Sequence, residues 1–308
     1  MIENTNSPFG SIITAMVTPF QTDYSLDLKA TERIINHLIA TGSQSLVVNG
    51  TTGESPTLED SEQKELFIFA KDKAKGKAKI IAGVGTNSTA KTIKYSHVAE
   101  QAEADGLLVV VPYYNKPTQT GLIKHFQEIA KNTSLPIIIY NIPGRTGINM
   151  TVDTTLELID TCKNIIALKD STGSVEQAAD IAAKVTSKKF WIYSGDDPLT
   201  LPYLSIGGAG VVSVASHLVG SKIKAMLDHY FKGDFDQARK IHYEYLPFFK
   251  GIFAAPNPTC IKYALAKVGL CQETLRLPLV PLASAEKAKL EAIMKSITID
   301  TPKTALVV

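Results

Sequence analysis

The segment Ile165–Ser174, IIALKDSTGS, places a lysine at the end of an apolar run that is typical of a buried strand. Burying an unpaired ammonium is costly, so Lys169 is predicted to be paired, to reach water, or to be neutral for a chemical purpose. Partial desolvation lowers the pKa of a lysine, and its neutral amine can attack a carbonyl to form a Schiff base. The alternatives are a salt bridge to Asp170 or a stem that extends to solvent. Neighbouring side chains of a strand face opposite sides, which makes Asp170 a poor partner.

Two further side chains with suitable chemistry follow the preceding apolar run, in YNIPGRTG. Tyr140 ends that run, and a phenol there can transfer protons to and from an adduct on Lys169. Its alternative role is an aromatic plug at the rim of the fold. Arg145 lies in a Pro-Gly turn, where a guanidinium suits a carboxylate ligand, although a surface arginine is the simpler interpretation.

The motif GTTGES offers two threonine hydroxyls, Thr51 and Thr52, and free backbone donors in a glycine-flanked turn. Such a turn can bind an anion such as a carboxylate. Alternatively, its hydroxyls cap the helix that follows.

The motif PYYNKP places Tyr113 and Tyr114 between prolines on a loop. Exposed paired aromatic side chains favour an interface with another protein surface. The alternative is that both rings pack against the base of their own loop.

Eight short apolar runs recur along the chain, without the alternation of apolar and polar residues that marks a half-buried strand. They are typical of strands buried on both faces of a parallel sheet, and they alternate with segments of helical periodicity. Eight βα units predict a TIM (β/α)8 barrel with its site at the carboxyl-terminal ends of the strands; a doubly wound open sheet is the alternative. The runs are SIITAM, SLVVNG, KIIAGVG, GLLVVVP, PIIIYN, IIALKD, FWIYSG and GVVSVA.

The strand signal stops near residue 233, and the remaining residues have helical patterns. We therefore predict a barrel over residues 1–233 and a C-terminal helical region over 234–308, with no clear pattern after Ser296. Thr57-x-x-Asp60 predicts a capping box at the start of the second helix.

Composition limits the class of protein. The chain has 308 residues, a formal net charge of +2 and 44% hydrophobic residues, which is ordinary for a soluble globular protein and does not favour a nucleic-acid binder. The three cysteines form no CxxC motif, which predicts reduced thiols and no disulfides. The polar N-terminus predicts a cytoplasmic protein, and the lack of an apolar run approaching ~18 residues predicts no membrane span. The scattered histidines predict no metal site, and an unphosphorylated keto acid fits better than a phosphorylated ligand.

Five motifs in order, GTTGES, PYYNKP, YNIPGRTG, LKDSTG and SGDD, resemble those of the dihydrodipicolinate synthase/N-acetylneuraminate lyase family of class I aldolases, over nearly the whole chain. In having an arginine in PGRTG, the chain resembles the synthase branch of this family. The resemblance implies a lyase that condenses pyruvate with L-aspartate 4-semialdehyde in lysine and diaminopimelate biosynthesis, without a metal or organic cofactor. The alternatives are a sugar-acid aldolase of the same family and, more remotely, a non-catalytic barrel that binds carboxylates.

The resemblance also implies roles for single residues. Lys169 would form the imine, Tyr140 would donate and accept protons, and Thr51 would link Tyr140 to Tyr114 of a neighbouring subunit. The family is commonly a tetramer built as a dimer of dimers, which the resemblance implies for this chain too.

The implied substrate-binding residues are Thr52 and the backbone of Val212 for the pyruvate carboxylate, and Arg145 for the carboxylate of the semialdehyde.

A regulatory site is implied at the dimer interface of lysine-sensitive members. Asn87 and Tyr113 match the family there, whereas Lys91 replaces a glutamate, and Asp60 and Gln63 replace histidines. A cation at Lys91 would repel the ammonium group of lysine. We therefore predict weak or no feedback inhibition by lysine.

Overall fold

The apolar runs form eight parallel strands that close into a barrel in chain order, with β8 paired to β1. The computed structural model describes residues 7–187 and 189–302. The predicted (β/α)8 barrel is confirmed, and the open sheet is excluded by the β8–β1 pairing. The strands are β1 Ile12–Ala15, β2 Ser45–Val48, β3 Lys79–Gly83, β4 Gly106–Val110, β5 Ile137–Asn141, β6 Ile165–Asp170, β7 Trp191–Ser194 and β8 Gly210–Ser213.

The strands are buried because helices cover the outer face and side chains fill the interior. Every residue of β1, β2, β5 and β8 is buried, which explains why these runs lack alternation. The α-helices of the described residues are α1 Leu28–Ala40, α2 Asp60–Ala74, α3 Thr89–Gln101, α4 Gln119–Lys131, α5 Pro143–Thr146, α6 Val152–Thr161, α7 Val175–Lys184, α8 Thr200–Ser205, α9 Ser216–Phe231, α10 Phe235–Gly251, α11 Thr259–Lys267 and α12 Ser284–Lys295.

The predicted cap of α2 is wrong. The helix begins at Asp60, and the side chain of Glu62 accepts a hydrogen bond from the backbone N–H of Glu59 at 2.9 Å. Thr57 lies instead in a short 3₁₀ turn, where its hydroxyl donates to the carbonyl of Glu54 at 3.0 Å. Glu59 and Glu62 provide the same capping chemistry two residues later in the chain.

The C-terminal helices pack against the barrel. α9 ends at Phe231 and α10 begins at Phe235, so the predicted boundary falls in their connection. Phe248 and Phe249 of α10 belong to the same apolar cluster as the barrel side chains. The division at 233/234 stays an interpretation, and the end of the predicted tail, residues 303–308, lies outside the described residues.

Within residues 7–187 and 189–302, the helices are all too short or too polar to cross a membrane.

Candidate active site

Lys169 and Tyr140 lie side by side at the carboxyl-terminal ends of β6 and β5, where the strand register pairs them directly. The Lys169 Nζ atom is 4.0 Å from the centroid of the Tyr140 ring, and both residues are 5% exposed. Within the described part of the chain, Nζ has neither a hydrogen-bond partner nor a carboxylate at ion-pair distance. A buried amine that lacks an anion but lies on a phenol ring is available for chemistry with a small ligand.

Asp170 does not pair with Lys169. Its Oδ1 atom accepts a hydrogen bond from the backbone N–H of Thr172 at 2.8 Å, on the other side of the strand. Burial raises the pKa of Asp170. The alternative of a Lys169–Asp170 salt bridge is therefore wrong, for the reason given by strand geometry.

Two aspartates follow β7, next to β6. The Asp197 carboxylate is buried and accepts hydrogen bonds from the Ser213 hydroxyl and from the backbone N–H groups of Val214 and Ala215, at 3.1 and 3.0 Å. Asp197 thereby ties the end of β7 to the turn after β8. Burial raises the pKa of Asp196 to about 6, and the positive charge of Lys169 opposes that rise.

The GTTGES motif forms a tight turn after β2. Its residues Thr51–Gly53 make one 3₁₀ turn, and the backbone N–H of Gly53 donates to the carbonyl of Gly50 at 3.0 Å. Thr18, after β1, donates its hydroxyl to the carbonyl of Gly53 at 2.7 Å. The turn is thus held against the mouth of the barrel by its neighbour strand.

A cavity of about 210 Å³ opens at this mouth. It brings together four of the predicted residues: Thr51, Tyr113, Tyr140 and Arg145. Its lining does not include the other predicted residues, which are Lys169, Thr52, Tyr114, Val212, Asn87 and Lys91. The remaining lining residues are Asn49, Gly50, Ser55, Pro56, Gly83, Gly85, Leu108, Val110, Ile142 and Thr146.

Three of the predicted residues outside that lining have clear positions. Thr52 is buried beside Thr51 in the turn, and Val212 is fully buried in β8, opposite Ile13 of β1. Tyr114 points away from the fold and is 88% exposed, with a left-handed backbone at φ 72°. The two tyrosines of PYYNKP therefore separate, because Tyr113 lines the cavity and Tyr114 does not.

A second cavity of about 130 Å³ adjoins the first and shares Tyr113 with it. Lys91 and Gln63 line it, but Asn87 does not. The Lys91 Nζ atom lies 5.4 Å from the centroid of the Tyr95 ring. Its wall thus carries a cation and an amide where the family resemblance implies acidic and histidine side chains.

Asp60, the other replaced histidine position, is not a lining residue of this cavity, but its carboxylate contacts Tyr95, which is. It accepts hydrogen bonds from the Tyr95 hydroxyl at 2.6 Å and from Lys94 Nζ at 2.5 Å.

Sequence reasoning missed the side chains that hold the GTTGES turn from behind. Asn257 donates a hydrogen bond to the Thr52 hydroxyl, and Lys262 is paired with Glu54. No motif in the C-terminal region points to these contacts. The aspartates of SGDD, Asp196 and Asp197, follow an apolar run in the sequence, but neither the sequence nor the family resemblance predicts a role for them.

In the described residues, no group of three or more histidine, cysteine or acidic side chains is placed to hold a metal ion.

Fold and site together define a (β/α)8-barrel protein with a lysine and a tyrosine in contact at adjacent strand ends. The model of the dihydrodipicolinate synthetase family matches residues 8–297, and the chain belongs to this family. A curated relative from Halalkalibacterium halodurans, 4-hydroxy-tetrahydrodipicolinate synthase 1, is 48% identical over 92% of this chain and 95% of its own length.

Solved structures agree with this assignment. A dihydrodipicolinate synthase from Bacillus anthracis has a TM-score of 0.91 at 42% identity, covering 94% of this chain and 98% of that one. The synthase from Cyanidioschyzon merolae with lysine bound has a TM-score of 0.91 at 45% identity, with the same coverage of 94% and 98%.

Proposed function

We propose that the protein condenses pyruvate with L-aspartate 4-semialdehyde through a Schiff base on Lys169. The product is 4-hydroxy-tetrahydrodipicolinate, a precursor in lysine and diaminopimelate biosynthesis. The observation that carries the proposal is the Lys169 amine, buried without an anionic partner and 4.0 Å from the Tyr140 ring. Membership of the dihydrodipicolinate synthetase family, with relatives named as 4-hydroxy-tetrahydrodipicolinate synthases, supports this reaction.

The chemistry begins with attack of the Lys169 amine on the ketone carbon of pyruvate and loss of water, which gives an imine. The positive imine nitrogen acidifies the methyl group, and loss of a methyl proton gives an enamine. The enamine carbon attacks the aldehyde of the semialdehyde and forms the new carbon–carbon bond. The amino group of the product then attacks the imine carbon, which closes the ring and releases Lys169 as an amine.

Proton transfers in these steps are assigned to Tyr140, whose phenol lies beside the amine and lines the cavity. General acid–base groups act within hydrogen-bond reach of the reacting atoms, and the contact between the Tyr140 ring and the Lys169 amine supports this assignment. Thr51 lines the same cavity and is assigned the relay of protons from Tyr140.

Two carboxylates must be held. We assign the pyruvate carboxylate to the Thr52 hydroxyl and the backbone of Val212, and the semialdehyde carboxylate to Arg145. Arg145 is exposed on the single-turn helix α5 and lines the cavity. A guanidinium fork matches a carboxylate in shape and charge.

We also propose that the enzyme is a cytoplasmic homotetramer, built as a dimer of dimers. An aromatic side chain as exposed as Tyr114 favours coverage by a second copy, and aromatic residues are enriched at such interfaces. Analytical ultracentrifugation checks this, because a monomer at micromolar concentration contradicts it.

The reaction is tested by borohydride reduction in the presence of pyruvate, followed by intact-mass and peptide mass spectrometry. One reduced pyruvate adduct on the Lys169 peptide is expected, and none in Lys169→Arg. Lys262 provides an internal control, because it is also buried on an aromatic ring but is paired with Glu54. Folded protein without an adduct, or with an adduct on another lysine, overturns the proposal.

Arg145 separates the synthase from the sugar-acid aldolase alternative. Arg145→Ala is expected to raise the KM for the semialdehyde by about tenfold or more, since a charge-assisted contact is lost. The KM for pyruvate and the imine yield should stay within about twofold, because Arg145 is assigned to the second substrate. Cleavage of a sugar acid by the native protein, with little effect of the substitution, favours the alternative.

A further inference from the structure

The C-terminal helical region holds the GTTGES turn through two buried contacts. Asn257, just before α11, donates from Nδ2 to the Thr52 hydroxyl oxygen at 2.9 Å. Lys262 in α11 donates from Nζ to Oε1 of Glu54 at 2.5 Å. The two side chains of this ion pair are 0% and 1% exposed. Both contacts reach the turn that carries Thr51, a lining residue of the cavity: Thr52 follows it in the chain, and the backbone N–H of Glu54 donates to the Thr51 carbonyl at 3.1 Å.

Glu54 anchors the end of the turn. Its backbone is left-handed, with φ 55°, a conformation that costs a non-glycine residue free energy. Its carboxylate is bound on both oxygens, because the backbone N–H of Arg276 donates to Oε2 at 3.0 Å. Lys262 also donates to the carbonyl of Thr274 at 2.8 Å and lies 4.1 Å from the Phe20 ring centroid. The buried charge pair therefore fixes a backbone conformation that the residue alone would not favour.

The contact of Asn257 with Thr52 has a direction. Because the amide nitrogen is the donor, the Thr52 oxygen is the acceptor. A hydroxyl carries a single hydrogen, so this arrangement leaves the Thr52 hydrogen available to another acceptor. A carboxylate is an acceptor only, and a donated O–H suits it. The hydrogen bond from Asn257 thus leaves the Thr52 hydroxyl free to donate to a bound carboxylate.

We propose that Asn257 and Lys262 are positioning residues for the pyruvate site, acting through Thr52 and Glu54 of the GTTGES turn. The inference rests on the proposed function, in which Thr52 binds the pyruvate carboxylate. The C-terminal region then takes part in substrate binding from behind the site, without touching substrate.

The test is a double-mutant cycle on Asn257→Ala and Thr52→Val, read as the KM for pyruvate and as the pyruvate concentration that gives half-maximal borohydride trapping. Asn257→Ala is expected to raise both by about three- to tenfold, the range for one lost hydrogen bond. In the Thr52→Val background, Asn257→Ala should change them by less than about twofold, because coupled residues act non-additively.

A purely structural role predicts a different pattern. Loss of folded protein lowers the apparent kcat and leaves the KM unchanged. The matched control is Leu290→Ala, a buried apolar residue of α12 in the same helical region, which should lower the melting temperature without changing the KM for pyruvate. An unchanged KM in Asn257→Ala, or effects that multiply in the double variant, overturns the role of Asn257.

Lys262 is tested in a form that avoids an unpaired buried charge. The double variant Glu54→Gln with Lys262→Met removes both charges, and circular dichroism establishes that it is folded. Its KM for pyruvate is expected to rise severalfold, and a KM equal to that of the native protein overturns the role of Lys262. Native protein that traps no pyruvate at Lys169 overturns the proposed function itself, whereas normal trapping with unaffected variants overturns only this inference.

Discussion

Lys169 and Lys262 are both buried lysines on aromatic rings, and their partners separate their roles. Nζ of Lys169 lies 4.0 Å from the Tyr140 ring and has no carboxylate partner in the described residues. Nζ of Lys262 lies 4.1 Å from the Phe20 ring and is paired with Glu54. Burial lowers the pKa of Lys262, and the Glu54 carboxylate opposes this. This difference supports the proposal that the Lys169 amine, and not that of Lys262, attacks the ketone of pyruvate.

Removing the Tyr140 hydroxyl tests proton transfer separately from imine formation. Tyr140→Phe keeps the ring beside Lys169 but has no transferable proton. Turnover is expected to fall by about a hundredfold or more, the usual contribution of a general acid–base group. Borohydride trapping at saturating pyruvate should still reach one adduct per chain after long incubation.

Tyr193→Phe is the matched control. Tyr193 lies on β7 next to Lys169 in register, but its hydroxyl donates to the carbonyl of Gly10 at 2.7 Å, at the far end of the barrel. Turnover of Tyr193→Phe should stay within about threefold of native, since the change removes only the hydrogen bonds of this hydroxyl with Ser7 and Gly10, remote from the site. Equal losses in both variants contradict the assignment of Tyr140.

At the scale of elements, the buried Lys262–Glu54 pair links α11 to the turn after β2. Lys262→Met leaves the Glu54 carboxylate buried without its cation, and the free energy of unfolding is expected to fall by about 3–5 kcal/mol. Adding Glu54→Gln should recover most of that loss. Urea titrations followed by tryptophan fluorescence give the three values.

The control for this prediction is Lys224→Met, which breaks the exposed i,i+4 pair with Asp228. An exposed pair contributes less than about 1 kcal/mol, so its loss should be small. A loss in Lys262→Met no larger than in Lys224→Met contradicts the prediction.

Elements with strong local patterns were predictable from the sequence. Leu28–Ala40 has the periodicity of an amphipathic helix and forms α1 over the same residues. The adjacency of Tyr140 and Lys169 also followed, because consecutive strands of a parallel barrel bring their carboxyl-terminal ends together.

The contacts of Asn257 and Lys262 could not be predicted in this way. Their partners, Thr52 and Glu54, lie 205 and 208 residues away in the chain. Periodicity reports which face of an element is buried, but not which distant side chain it meets. The capping residues of α2 were predicted wrongly for a local reason. Glu59 and Glu62 lie close to Thr57 in the chain and can also form a capping box.

At the scale of the whole molecule, buried histidines make stability depend on pH. Burial lowers the pKa of His125 to about 4 and that of His217 to about 4. The unfolded chain takes up protons at these histidines near pH 6.5, before the folded protein does, so stability is lost as the pH falls from about 6.5 toward 4. Between pH 8 and pH 5, each of these histidines should lower the free energy of unfolding by about 2 kcal/mol.

His125→Gln is expected to reduce the difference in unfolding free energy between pH 8 and pH 5 by about 2 kcal/mol, the contribution of one histidine, because glutamine does not titrate. Guanidinium titrations at pH 8 and pH 5 measure the difference. His97→Gln, a substitution at an exposed histidine, should leave the difference unchanged. A native protein equally stable at both pH values contradicts the expectation.

The response of activity to lysine is a second expectation at the scale of the whole molecule. The Cyanidioschyzon merolae synthase was crystallised with lysine bound, whereas this chain places a cation, Lys91, in the wall of its second cavity. Sub-millimolar lysine is therefore expected to leave activity nearly unchanged, and Lys91→Glu should increase inhibition because attraction replaces repulsion. Strong inhibition of the native protein at sub-millimolar lysine contradicts this.

The distance in sequence between Glu54 and Lys262 has a consequence for how the protein is made. A ribosome synthesises Glu54 early, and its cationic partner follows 208 residues later. Until then the carboxylate has no buried partner, and β1 also waits for β8 before the barrel can close. The nascent chain therefore completes the contacts of the GTTGES turn only near the end of translation, so a prematurely terminated chain carries Lys169 without the partner that fixes the proposed pyruvate site.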